Sequence, residues 1–221
     1  MAITCISEKP KMSKPLEKAR KDPDSIKAKV LLAARKLFGE YGYHGTTTRM
    51  IAKEVGIDIS TLYYHWGEKK DLYEAVILDV RTDFMKIITE IEEKAKDKPL
   101  KERYDIAIDS ICEFLDSNPE GPNIMLFHLF SKLKLSLDPD LGSSKPLEEV
   151  GVVMGFDMND QEFSRKVKAG MLAGWFSLFS FFAGEDYIRP ILEMDHDDYK
   201  VLVKDTMKRI LVPGNYRKEK K

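Results

Sequence analysis

Residues 42–72 hold two short helical patterns, each with its own start and stop signals, within about thirty residues. The three threonines at positions 46–48 offer N-caps to the first pattern, which Gly56 closes. Asp58 offers an N-cap to the second pattern, which Gly67 closes. Two short helices joined by a tight turn make a helix-turn-helix, a motif whose second helix enters the major groove of DNA. This stretch therefore predicts a DNA-binding unit early in the chain.

Charge is distributed unevenly along the 221 residues. The whole chain has a formal net charge of −1, but residues 1–72 contain 14 Lys/Arg and 9 Asp/Glu. The first 72 residues therefore carry +5 and the remainder −6. The excess of positive charge lies in the part that holds the helix-turn-helix, which suits a DNA partner.

Cysteine use and hydropathy indicate a reducing compartment. Cys5 lies in a polar tail and Cys112 in an apolar helical pattern, so we expect no disulfide and a cytoplasmic, nucleoid-associated protein. The opening residues lack the unbroken apolar core of a signal peptide. Residues 169–183 form the longest apolar-rich run, shorter than the roughly 20 residues that cross a bilayer. A buried helix is the expectation there, a membrane span is the alternative, and no membrane partner is predicted.

Residues 1–22 are polar, rich in lysine and interrupted by Pro10 and Pro15, a composition that predicts a disordered basic arm. Two interpretations of this arm stay open. In the first, it has no partner: it is a solvated tail, or an overextended start with Met12 as the true initiator. In the second, the arm lies along DNA phosphates or in the minor groove.

The next residues predict a first helix over 23–41. Asp22 followed by Pro23 is an N-cap and first-turn signature, and apolar residues then recur at helical spacing until Gly42. On the polar face of this helix, Lys27 and Lys29 are candidates for phosphate contact. Two further basic residues of that face, Arg35 and Lys36, fit a solvated surface.

The two helices of the helix-turn-helix are expected over 47–55 and 59–65. The first buries Ile51 and the small Ala52, which lets two helices cross closely. The second buries Leu62 and leaves polar and aromatic side chains on its other faces. A short helix with so many such residues exposed stabilises a fold poorly, so a polar partner is expected on that side.

The sequence of residues 37–76, LFGEYGYHGTTTRMIAKEVGIDISTLYYHWGEKKDLYEAV, resembles the N-terminal DNA-binding domain of the tetracycline-repressor (TetR) family of bacterial transcriptional regulators. The resemblance extends over about residues 30–80. It includes the Gly-Tyr turn, the threonines before Arg49, Gly56, the Thr61-Leu62-Tyr63 triplet and His65. So many matches in register are far more specific than a generic helix-turn-helix.

The resemblance implies roles for individual side chains. Arg49 is expected to contact guanine N7 and O6, a bidentate contact worth roughly 1–3 kcal/mol of discrimination. His65 is expected to contact phosphate, with simple packing as the alternative. The residues implied in DNA binding are Thr47, Thr48, Arg49, Ile59, Ser60, Thr61, Tyr63, Tyr64, His65 and Lys69.

Four positions depart from the family pattern. Ile59 replaces a polar residue and can offer only apolar contact, such as with a thymine methyl. Asp58 stands where a serine cap is usual and is nearly equivalent to it. Trp66 replaces a phenylalanine and is expected in the same core site. Glu68 replaces the usual cap of the following helix, which weakens the cap but keeps a negative charge at the positive helix end.

Apolar periodicity continues to the end of the folded chain, so we predict an all-α fold. The expected helices after the helix-turn-helix are 69–96, 100–117, 120–135, 146–154, 160–183 and 196–212. We divide the chain into a DNA-binding domain at 23–68, a connecting helix at 69–97, a ligand-binding and dimerisation domain at 98–214 and a charged tail at 215–221.

The resemblance also implies a dimer and a small effector. Family members dimerise through their last two long helices, and the predicted interface residues are Gly170, Gly174, Phe181, Tyr199, Leu202 and Met207. Effectors bind between helices of the C-terminal domain, and the candidate lining residues are Cys112, Met125, His128, Phe130, Met171, Trp175 and Phe179. Aromatic and Met residues at helical spacing are equally typical of an ordinary core.

No arrangement of side chains indicates catalysis, a cofactor or a metal site: the sequence lacks a phosphate loop, a nucleophile elbow and paired Cys-x-x-Cys. We expect a transcriptional regulator that represses from a palindromic operator as a homodimer and is released by a small, largely apolar effector. The alternative is a ligand-independent, DNA-associated structural or cell-organisation protein of the same fold.

Overall fold

A computed structural model describes residues 13–131, 133 and 145–211. Within these residues the chain forms helices and no strands, which confirms the all-α prediction. The helices are α1 (Lys14–Lys21), α2 (Ile26–Gly45), α3 (Thr48–Val55), α4 (Ile59–Trp66), α5 (Lys69–Ala95), α6 (Leu100–Ser117), α7 (Glu120–Ser131), α8 (Lys145–Val153), α9 (Gln161–Ala183), α10 (Glu185–Ile191) and α11 (His196–Ile210).

The chain forms two compact units. The described part of the N-terminal unit comprises residues 13–84 with 118–131 and 133, and that of the C-terminal unit comprises 85–117 with 145–211. This division differs from the predicted domains, because α7 joins the N-terminal unit. The reason is that α7 packs closely on α2. A Cβ atom added at Gly39 would lie only 2.9 Å from Glu120 Cβ, and Gly42 lies against the ring of Phe127.

The predicted disorder of residues 1–22 was wrong for 14–21, which form α1. Ser13 occupies its N-cap position and a proline stands in its first turn, both ordinary features of a helix start. Leu16 and Ala19 are buried, and Arg20 pairs with Asp79 and Asp83 of α5. Burial of an apolar face and a long-range ion pair outweigh the polar composition. Residues 1–12 lie outside the described residues.

Helix α2 begins three residues later than predicted. Its N-cap is Ser25, whose hydroxyl accepts from the Ala28 N–H at 3.2 Å, rather than Asp22. The helix is interrupted at Gly42, where φ is 66° and ψ is 179°. Thr46 stabilises this break, because its hydroxyl lies 2.9 Å from the Leu37 carbonyl and 2.8 Å from the Gly42 carbonyl.

The prediction of a solvated Arg35 was wrong: this residue is only 8% exposed. Its guanidinium contacts Asp79 at 2.7 Å, Asp83 at 2.8 Å and Glu120 at 2.8 Å. With Arg20 these residues form an ion cluster that joins α1, α2, α5 and α7 inside the N-terminal unit. Buried charges of this kind are tolerated because each has an opposite charge and hydrogen bonds.

In the C-terminal unit, α6, α9 and α11 supply a shared core that includes Cys112, Leu115, Val167, Leu178 and Met207. Polar contacts along α11 tie it to its neighbours. The Tyr199 hydroxyl donates to the Phe181 carbonyl at 2.8 Å, and Lys208 pairs with Asp109 at 2.8 Å. Residues 100–117 and 160–183 were predicted as helices within one residue of the observed bounds.

Helix α10 was not predicted. Gly184 ends α9 and also occupies the N-cap position of α10, so the chain turns between the two helices by 81°. Within the described residues, no single helix has the length and apolar composition of a membrane span. Only the bent pair α9 and α10 together would meet those criteria.

Candidate nucleic-acid interface

Helix α3 is held by caps at both ends. The Thr47 hydroxyl accepts from the Met50 N–H at 3.2 Å, which satisfies one of the free donors of the first turn. At the other end Gly56 adopts a left-handed conformation with φ of 75° and ψ of 36°. Its neighbour Ile57 donates to the Ala52 carbonyl at 3.0 Å. These contacts fix the turn between the two helices of the motif.

Helix α4 buries Leu62 and Trp66, which lie one turn apart on its inner face. The burial of Trp66 confirms its expected place in the core. Asp58 occupies the N-cap position, as predicted, but its side chain makes no capping hydrogen bond.

The opposite face of α4 is open to solvent. Ser60, Tyr63 and Tyr64 are exposed, and the exposed fraction of Tyr64 reaches 85%. Ile59, Thr61 and His65 are half-buried at its edges. A large aromatic side chain that is mostly exposed to solvent adds little stability to the monomer, so this face is available to a partner.

Helices α3 and α4 present their exposed residues together. The Thr48 hydroxyl lies 3.5 Å from the Tyr63 hydroxyl, which joins the start of α3 to the open face of α4. Arg49 and Thr47 are exposed beside Thr48. Among the described residues, Arg49 forms no ion pair, so its guanidinium is free to bind an external acceptor.

His65 is paired with a lysine from the start of α2. The Lys27 ammonium lies 2.7 Å from Nδ1 of His65. An ammonium can only donate, so Nδ1 accepts and the imidazole is neutral with its proton on Nε2. Burial, and then the charge of Lys27, lower the pKa of His65, in keeping with the neutral form.

Lys69 contacts the segment of chain that leads from α2 to α3. Its ammonium donates to the carbonyls of Tyr43 at 2.7 Å and Thr46 at 2.8 Å, and it lies 4.2 Å from the centroid of the Tyr43 ring. Burial lowers the pKa of Lys69. Two of its three ammonium hydrogens are therefore used to hold the chain between α2 and α3.

The start of α5 has a cap that sequence reasoning did not anticipate. Asp71 accepts from the Glu68 N–H at 2.8 Å, which is one half of a capping box. The weak cap expected from Glu68 is thus compensated by a side chain three residues later.

Comparison with known families identifies this unit. The family model for bacterial regulatory proteins of the tetR family matches residues 30–76, which contain α3, α4 and most of α2. Residues 30–76 therefore resemble the DNA-binding domain of the TetR family. The predicted resemblance is therefore confirmed, and the TetR-family match covers the capped helix pair with its open polar and aromatic face.

Two curated relatives are similar to this chain in the same region. The regulator IcaR of the Staphylococcus aureus biofilm operon icaADBC, a negative transcriptional regulator, is 49% identical over 49 residues, 22% of this chain and 26% of IcaR. The transcriptional regulator UidR of Escherichia coli is 32% identical over 63 residues, 28% of this chain and 32% of UidR. The chain thus matches only about a quarter to a third of the length of these relatives.

Solved structures extend the likeness to most of the fold. A TetR-like regulator from Rhodococcus superposes with a TM-score of 0.63 at 16% identity, over 86% of this chain and 96% of that one. FadR of Bacillus subtilis, solved in complex with stearoyl-CoA, gives a TM-score of 0.55 at 18% identity, over 85% of this chain and 98% of FadR. At such identities the likeness concerns the fold alone.

The residues predicted to line an effector pocket fall in both units. Met125, His128 and Phe130 belong to α7 of the N-terminal unit, where Phe130 is 74% exposed. The remaining four lie in the C-terminal unit, where Cys112 is buried in the core and Met171, Trp175 and Phe179 of α9 are half-buried. The groove of α1, α2 and α4 described below contains none of the seven.

The predicted dimer residues separate into two groups. Tyr199 and Met207 are 1% and 0% exposed, so they belong to the core of their own subunit and that part of the prediction was wrong. Gly174 is also buried, beside Leu211. Gly170, Phe181 and Leu202 retain surface. The mistake arises because periodicity marks an apolar face without showing what covers it.

Proposed function

We propose that this TetR-family chain is a transcriptional repressor that binds a palindromic operator as a homodimer through α3 and α4. The observation that carries the proposal is the open face of α4. Ser60, Tyr63 and Tyr64 are exposed there beside Arg49, although the opposite face of the same helix is fully packed. Such a regulator acts on the chromosome, in the cytoplasm.

The base sequence of the operator is recognised by the side chains that reach base edges. Arg49 offers two parallel N–H donors that match guanine N7 and O6, and Ser60 and Thr61 offer hydroxyls. Ile59 contributes an apolar contact, most suitably with a thymine methyl. The half-buried position of Ile59 and Thr61 is consistent with a contribution smaller than that of Arg49.

Phosphate contacts fix the register of the motif on the duplex. The hydroxyls of Tyr63 and Tyr64 and those of Thr47 and Thr48 suit this role. His65 has its Nδ1 occupied by Lys27, which leaves Nε2–H as a donor. Lys69 retains one ammonium hydrogen for phosphate after its two carbonyl bonds.

A homodimer would use the apolar surface that α9 and α11 leave uncovered. Leu172 and Phe176 of α9 are exposed, as are Val201, Leu202 and Ile210 of α11. Exposed apolar side chains on two neighbouring helices favour association with a second copy. Two-fold symmetry of the dimer would make the operator palindromic, with half-sites about 34 Å apart.

The proposed effector is a small, largely apolar molecule. FadR, which shares the fold, was solved with stearoyl-CoA. The aromatic and Met side chains of α9 offer apolar contacts for such a ligand, and acyl-CoA esters are a reasonable first panel of compounds. Binding would favour a state in which the two recognition helices no longer match successive major grooves.

The test begins with selection of bound duplexes from a random pool. For the selected duplex, Arg49→Ala should weaken binding about 5- to 150-fold, the equivalent of 1–3 kcal/mol, and relax specificity at one base pair. Tyr63→Phe should weaken it about 3- to 10-fold, as expected for one lost hydrogen bond, without changing specificity.

Matched controls are available on the C-terminal unit. Arg165 of α9 and Tyr187 of α10 are exposed, so Arg165→Ala and Tyr187→Phe should bind like the parent. If Arg49→Ala and Tyr63→Phe also bind like the parent, the proposed interface is wrong. Failure of every acyl-CoA and other apolar compound to release the duplex would instead favour the ligand-independent alternative.

A further inference from the structure

A groove of about 430 Å³ lies where α1, the start of α2 and the end of α4 meet. Its lining includes three lysines, Lys18, Lys21 and Lys27, together with His65. The acidic residue in the lining is Asp22, which leaves a formal charge of +2 with His65 neutral. A concave, positively charged surface of this kind attracts anions.

The lysines of α1 lie on one stripe of the helix. Lys14, Lys18 and Lys21 are spaced at four and three residues, which places them on the same face, and all three are exposed. Within the described part of the chain, none of the three lysine side chains forms an ion pair or hydrogen bond. Glu17 is the exposed acidic residue of α1.

Helix α1 is firmly attached through its other face. Leu16 and Ala19 are buried, and Arg20 donates to Asp83 at 2.7 Å and also contacts Asp79. The lysine stripe is therefore carried on an ordered helix rather than on a free arm. Less conformational entropy is lost when side chains on an ordered scaffold bind.

We propose that α1 forms an additional phosphate-binding surface, in which Lys18 and Lys21 contact the sugar-phosphate backbone of the duplex beside the site occupied by α4. This inference rests on the proposed function. Both lysines border the same groove as His65, which is the last polar residue of α4 before Trp66. Helix α1 lies outside residues 30–76, so the matched family region does not supply this surface.

The chemistry favours phosphate over bases. A lysine ammonium is a compact charge on a flexible stem and lacks the planar fork that reads guanine. Lysine contacts with phosphate strengthen binding to all sequences and do not change which sequence is preferred. The predicted effect is therefore on affinity and on its dependence on salt.

The experiment measures duplex binding by the full chain at several salt concentrations. Each phosphate contact steepens the plot of log K against log salt by about 0.9, so the double variant Lys18→Gln/Lys21→Gln should reduce the slope by about 2. Its affinity should fall by the same factor for the selected operator and for an unrelated duplex. The control is Lys96→Gln/Lys101→Gln, two exposed lysines of the C-terminal unit, which should leave the slope unchanged.

A series of shortened duplexes locates the contact. As flanking base pairs are removed one at a time, the affinity of the parent protein should fall to that of the double variant. The affinity of the double variant itself should not change. A double variant with the parent's slope, or with the same dependence on duplex length, would overturn the inference while leaving the proposed function intact. Failure of the parent to bind any duplex would overturn both.

Discussion

The guanidinium of Arg35 lies 2.7 Å from a carboxylate oxygen of Asp79, which joins the middle of α2 to α5. Both side chains are almost fully buried. Arg20 and Arg35 also bind Asp83: burial acts to raise the pKa of Asp83, but hydrogen bonds from the two arginines hold it below its ordinary value. The helix that leaves the DNA-binding motif is thus attached to it by charge as well as by apolar packing.

Replacing Arg35 with methionine should strongly destabilise the protein. Asp79 and Asp83 would keep their contacts with Arg20, whereas Glu120 would lose its contact with the Arg35 guanidinium. Breaking a buried ion cluster on one side costs about 3–5 kcal/mol. Urea denaturation followed by circular dichroism would measure the change. Lys36→Met is the matched control, because the pair Lys36–Glu54 is exposed and its loss should change stability little. Equal losses in the two variants would mean that the buried cluster has no special structural role.

Gly42→Ala should destabilise the protein more than Gly56→Ala. At Gly42 the combination of φ 66° and ψ 179° is almost restricted to glycine, and a Cβ would lie 3.3 Å from the Phe127 ring. At Gly56 the conformation is left-handed helical and the space is open, so alanine should cost about 1 kcal/mol. We expect about 2–3 kcal/mol at Gly42, from thermal or urea unfolding. A smaller loss there than at Gly56 would contradict the observed break in α2.

Lys27→Met should raise the pKa of His65. The variant removes the cation that faces Nδ1, so only the burial effect would continue to lower the pKa. Titration of the imidazole by NMR would measure the shift. Lys29→Met, on the same helix but without contact to His65, is the control and should leave the pKa unchanged. An unaltered pKa in Lys27→Met would show that the pair does not form in solution.

Stability should fall as the pH is lowered below about 6.5, the ordinary pKa of histidine. Burial lowers the pKa of His128, so the unfolded chain binds more protons than the folded chain between the two pKa values. The contribution stays below ~1.4 kcal/mol per pH unit, because a single imidazole binds at most one proton. Tyr73, whose ring centroid is 6.0 Å away, stays neutral because burial raises its pKa to about 12.

Denaturation of His128→Leu at several pH values isolates this effect. The variant should lose part of the pH dependence between pH 7 and pH 5. A variant with the full pH dependence of the parent would assign that dependence to other groups.

Cys112 should resist alkylation in the folded protein. Burial raises the pKa of its thiol to about 11, so almost no thiolate is present at pH 8, and the side chain lies in the core of the C-terminal unit. Mass spectrometry after iodoacetamide treatment should find modification of Cys112 only in denaturant. Rapid modification of Cys112 under native conditions would indicate that α6 opens from its neighbours.

Much of the secondary structure and the family could be predicted because the signals are local. Gly56 and Gly67 ended their helices as expected, and the predicted bounds of α6 agree with the structure. Caps, stop residues and apolar spacing act within a few positions along the chain. The open face of α4 followed from the same patterns, whereas its proposed contacts with DNA await the experiments above.

The remaining features depend on residues far apart in sequence. Helix α1 forms although its composition predicts disorder, because Arg20 finds Asp79 fifty-nine positions later. Arg35 is buried rather than solvated, since two aspartates and a glutamate from other helices converge on it.

By itself, then, the sequence determined most of the helices, their order and the polar and aromatic face of the recognition helix. Tertiary structure alone decided which charges are buried and which apolar faces are already covered. Tyr199 and Met207 show the difference, as both lie on an apolar stripe yet face their own subunit. The physical reason is that periodicity specifies which side of a helix avoids water, whereas the neighbour that excludes the water is specified by packing.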